Sequence, residues 1–79
     1  MSTKACVIIE VQGGKVEGVI CDRDIGTVII VDHDTQGADK ETLRRYPMTA
    51  KSTTEVAAEI ADVHVSEDLV LAARKTLGL

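Results

Sequence analysis

From residue 5 to residue 21 the chain reads as two β-rich runs around Gly13-Gly14. A Gly-Gly pair suits the two-residue primed turn that matches the twist of a β-hairpin. In the register that such a turn sets, Val7 faces Ile20, Ile9 faces Gly18 and Val11 faces Val16. Those residues share one face, and none of them is polar. The other face carries Cys6, Ile8, Glu10, Gln12, Lys15, Glu17, Val19 and Cys21. One wholly apolar face and one mixed face are what a half-buried antiparallel pair requires. The register has a cost, because it sets Glu10 opposite Glu17 and facing like charges disfavour pairing.

A polar turn at Asp22-Arg23-Asp24 precedes a second apolar run, Val28-Ile29-Ile30-Val31. A short apolar run between turn signals predicts a third strand from about Gly26 to Asp32. Residues 33–54 carry loop signals. Asp39 suits the cap of a short helical turn through Arg45, and Pro47 would end it, since the residue before proline avoids helical angles. Residues 49–54 are polar and expected at the surface. Residues 55–61 fit either a helix capped by Ser52-Thr53-Thr54-Glu55 or a strand, while Asp62-Val63-His64-Val65 alternates as a strand does. The last element is a helix with Ser66 as N-cap, Glu67 and Asp68 in its first turn, Arg74 and Lys75 in its last, and Gly78 beyond it. Leu69, Val70, Ala73 and Leu77 form its apolar stripe. The expected fold is therefore α+β: one domain over residues 1–79, an antiparallel three- or four-stranded meander packed by a C-terminal helix.

Composition sharpens this picture. Val, Ile and Ala carry the apolar content of the 79 residues, Tyr46 is the sole aromatic, and Phe and Trp are absent. A chain this short buries only about 60% of the surface its unfolded form exposes. A core without large side chains then favours self-association, so a homo-oligomer is expected. The formal charge of −4 argues against direct nucleic-acid binding, which needs clustered cations, and the lack of aromatics argues against single-strand stacking. Apolar runs such as Ala5 to Ile9 fall far short of the roughly 18 residues a membrane span needs. No membrane association is expected, and the cytoplasm is the default location.

Candidate chemistry is thin. Cys6 and Cys21 face each other in the expected register, at a separation of about 5.5 Å between alpha carbons, within disulfide range. They are the candidate redox pair; the plainer reading is two small apolar side chains kept reduced inside a cell. Asp32, His33 and Asp34 leave the third strand and, with Asp39, His64 or a second subunit, are the candidate metal ligands. In an extended chain Asp32 and Asp34 share a face while His33 points away, so the plainer reading is a solvated strand exit. His64 alternates away from its flanking valines and reads as exposed. Arg44-Arg45-Tyr46 is the one basic cluster, suited to an acidic partner or to surface ion pairs of small value. Gly13-Gly14 lacks the spacing of a phosphate loop. No catalytic constellation and no cofactor motif emerges, so an enzyme is the less favoured reading.

The segments Val7-Ile8-Ile9-Glu10-Val11-Gln12-Gly13-Gly14-Lys15-Val16 and Val28-Ile29-Ile30-Val31-Asp32-His33-Asp34 resemble small uncharacterised bacterial proteins. These have an I-E-V-x-G-G-x-V hairpin and a V-x-V-V-D-x-D third strand, and are often associated with phages, plasmids and other mobile elements. Val63 to Val70 resembles their strand leading into a short helix, whereas the Ala-rich 55–61 segment departs from them. The resemblance covers about half the chain and implies no catalytic residue. The functional expectation is a non-enzymatic protein-interaction module that self-associates. The resemblance adds an accessory role in a mobile element, acting on a host protein complex. The expected interaction surface is the mixed hairpin face at Ile8, Glu10, Glu17 and Val19, with Arg44, Arg45 and Tyr46. A small metal-binding domain and a redox-sensitive hairpin are the alternatives.

Overall fold

A computed structural model describes residues 4–79. The fold is α+β, with six strands in two small sheets and one C-terminal helix. The chain divides into two compact units, one of residues 1–28 with 61–79, the other of residues 29–60.

The first unit is built on the hairpin. Strand β1 (Val7–Gln12) and strand β2 (Lys15–Cys21) pair antiparallel. Gly13 and Gly14 both take positive φ, +58° and +78°, the backbone a primed turn requires and side chains resist. Gln12 faces Lys15 and Val11 faces Val16, as the turn dictates. Beyond them the register shifts: Glu10 faces Gly18, so Glu17 is the extra residue of a β-bulge in β2. Gly18 leaves room for Glu10, whose Oε1 lies 3.0 Å from where a Cβ at Gly18 would sit. The expected Glu10–Glu17 opposition is thus removed by the bulge.

The bulge also exchanges the faces of the distal hairpin. Val7 faces Cys21, Ile9 faces Val19, and Ile8 faces Ile20. Val19 and Cys21 therefore share a face with Val7 and Ile9. Strand β6 (Val63–Val65) pairs in parallel on the other side of β2, with Val19 opposite Val63 and Cys21 opposite Val65. Ser66 N–H then donates to the Cys21 carbonyl at 2.8 Å and leads into helix α1 (Glu67–Leu77). The Ser66 hydroxyl accepts from Leu69 N–H, and Gly78, in the left-handed region, closes the helix by donating to the Arg74 carbonyl. Helix α1 packs against β2, and Val19, Cys21 and Val70 are buried there. Of the expected apolar stripe, Val70 is buried and Ala73 half-buried, whereas Leu69 and Leu77 stay exposed.

The second unit holds strand β3 (Val28–Asp32), a single 3-10 turn (Lys40–Thr42), strand β4 (Leu43–Pro47) and strand β5 (Thr53–Ala61), in sheet order β3-β5-β4. The meander expectation fails in its order. Strand β3 pairs with β5 rather than β2, and the neighbour β2 gains is the parallel β6. The undecided 55–61 segment is strand, where its central place in the sheet outweighs the low strand preference of its Ala and Glu residues. The helical turn after Asp39 stops at Thr42, and Arg44 to Pro47 continue as an edge strand, where a proline without an N–H is tolerated. Thr49 Oγ1 accepts from the N–H groups of Lys51 and Ser52 and shapes the β4–β5 loop. Val56 is the buried centre of this unit.

Candidate functional site

The open end of the hairpin is tied by Asp22. Its Oδ1 accepts from Cys6 N–H at 3.2 Å, from the Cys21 thiol at 3.7 Å and from Arg23 Nε at 3.1 Å. Arg23 Nη2 reaches Asp22 Oδ2 and also the Lys4 carbonyl. The guanidinium beside it, with help from Cys6 N–H, holds the Asp22 carboxyl below its ordinary 3.8 against the opposing effect of desolvation. This cluster is a clasp between chain segments.

The expected opposition of Cys6 and Cys21 is removed by the same register shift. Cys6 stands across from Asp22, whose N–H donates to the Cys6 carbonyl at 3.3 Å, while Cys21 stands across from Val7. Neighbouring strand positions point to opposite faces, so Cys6 and Cys21 lie on different sides of the sheet. Both are free thiols, and Cys21 is fully buried.

The acidic strand exit turns its carboxylates on its own backbone. Asp32 Oδ1 accepts from Asp34 N–H at 2.9 Å, and Asp34 Oδ1 accepts from Gln36 N–H at 3.1 Å. These Asx turns explain the Asp spacing without a ligand. His33 sets its ring edge-on to Tyr46, with centroids 5.8 Å apart. His64 is exposed on β6 opposite Ile20 and belongs to the other unit. Among the described residues, no three His, Cys, Asp or Glu side chains come together in a way that could hold a metal ion. Within the second unit, Asp32, His33 and Asp34 do not converge as a ligand set.

Arg44 spends its guanidinium on the carbonyls of Glu41 and Leu43, and Arg45 stands across from Glu55 on the neighbouring strand. Tyr46 stands across from Thr54, two positions along from Arg44, which puts Arg44 and Tyr46 on one face and Arg45 on the other.

The expected hairpin surface is redrawn by the bulge. Val19 leaves it for the core, and Ile8 and Glu10 are joined on their face by Gly18, Ile20 and His64. What remains open is the apolar side of β1: Val7, Ile9 and Val11 are 42%, 59% and 64% exposed. They sit on the face that buries Val19 and Cys21, on a strand at the edge of its sheet. The sequence holds a signal for this rearrangement in Gly18, an isolated glycine inside a strand pattern, which often marks a bulge. No helix among the described residues is long and apolar enough to cross a membrane.

Compared with protein-family models, curated proteins and solved structures, the chain matches none.

Proposed function

We propose that this protein is a non-enzymatic interaction module whose first partner is a second copy of itself. The observation that carries the reading is the exposure of Val7, Ile9 and Val11 on the same face as the buried Val19 and Cys21. A core face that continues into solvent is incomplete, and contiguous exposed apolar surface is characteristic of interaction sites.

The fully buried Val56, Val70 and Cys21 are a small core for such a chain.

The resemblance to mobile-element proteins extends the proposal to an accessory role, in which the self-associated form acts on a host protein complex. Light scattering on the eluting peak across a range of concentrations tests the first step. A mass of twice 8.5 kDa or a higher multiple is the expected result; a mass of one chain at every concentration would refute the reading.

A further inference from the structure

The hairpin geometry specifies how the second copy docks, and this step rests on the self-associating reading above. In β1 the backbone groups of Cys6 point toward β2, since Cys6 C=O accepts from Asp22 N–H and Cys6 N–H donates to the Asp22 side chain. Backbone direction alternates along a strand. The bulge lies in β2, so the alternation along β1 is unbroken. Val7, Ile9 and Val11 therefore aim their N–H and C=O groups at the free edge of the sheet. The same residues carry the exposed apolar side chains.

We infer that β1 pairs antiparallel with β1 of a second copy, about a two-fold axis at Ile9. An antiparallel self-pair must bring outward residues against outward residues, which an axis at any residue from Val7 to Val11 does; at Glu10 it would set Glu10 against its own equivalent, and at Ile8 it would set Val11 against Ala5, outside the strand. Centred on Val7, the pairing sets Val11 beyond the start of the other copy's strand. Centred on Val11, it carries Val7 past the glycine turn to Lys15. Centred on Ile9, it spans the strand: Ile9 faces Ile9, and Val7 faces the second copy's Val11. Each of these pairs exchanges both ladder hydrogen bonds. Three apolar side chains from each copy then form one continuous face beside the Val19 and Cys21 core. Charge agrees with this register, because Glu10 lands opposite Ile8 rather than opposite its own equivalent.

The other edges are less fit for the role. Strand β4 carries Arg44, Arg45 and Pro47, features that guard an edge. Strand β6 is short, and on β3 only Ile29 among the apolar residues is exposed. Strand β1 has one charged residue, no proline and three exposed apolar side chains.

The test uses the full chain. Backbone amide exchange is followed by NMR at high and low protein concentration. The amides of Val7, Ile9 and Val11 should be protected at high concentration, and should exchange at least tenfold faster after dilution. In parallel, Ile9→Glu and Ile9→Lys are made; the site is exposed, and circular dichroism checks that each variant keeps its fold. Each variant alone should be monomeric, because like charges meet on the axis, and an equimolar mixture should recover the dimer mass. A dimer in which those three amides exchange as freely as loop amides would overturn the β1 pairing, yet leave self-association standing. Folded variants whose mixture stays monomeric would also overturn it. A wild-type chain that is monomeric throughout removes both readings.

Discussion

Asp22 shows how much one carboxylate can organise. It joins Cys6, Cys21 and Arg23, and through Arg23 the Lys4 carbonyl, so one side chain reinforces the backbone bond that closes the hairpin's open end. Its pKa is lowered from 3.8, with the Arg23 hydrogen bond as the largest cause. A carboxyl whose folded pKa is lowered contributes stability that is present above its unfolded value and is lost as pH falls through the folded value. Asp22→Asn should therefore lower the melting temperature modestly at neutral pH. The gap to wild type should close as pH falls below 3.8 and the wild-type carboxyl is itself protonated. Thermal melts of both proteins from neutral pH into the acid range check this; a gap that is constant with pH would assign the loss to something other than charge.

At the scale of elements, local chemistry and long-range pairing differ in how well they can be read. The Gly13-Gly14 turn and the helix from Ser66 to Gly78 are legible because neighbouring residues decide them. The partner of β3 is not, because the connection from β2 to β6 passes through the whole second unit and no local residue records it. The register of Cys6 and Cys21 departs from the expected one for a smaller reason. A single bulged residue, Glu17, reverses every face beyond it, and only Gly18 hints at it in the sequence. Asp32 and Asp34 are legible as turn formers, and the structure shows each accepting from a backbone N–H two residues on. The helix start gives this scale its prediction. Ser66 caps Leu69 N–H through its hydroxyl, so Ser66→Ala should cost about 1 kcal/mol of folding stability. Urea denaturation measures it, and an unchanged midpoint would show that the hydroxyl contributes nothing.

For the whole molecule, the two sheets present their apolar content unevenly. Val56 is buried in one unit and Val70 in the other, yet Ile9, Val11 and Leu77 face outward on the first unit and Ile29, Met48 and Ile60 on the second. The described core is small, and self-association as proposed would add to its stability. On the proposed pairing of β1 with a second copy, folding and association would be linked, and stability would depend on concentration. The melting temperature of the wild-type chain, measured by calorimetry over a hundredfold range of concentration, is the most direct test of that central claim. A melting temperature that rises steadily with concentration is the predicted result; one that stays the same across the range would contradict a folded state completed by its own second copy.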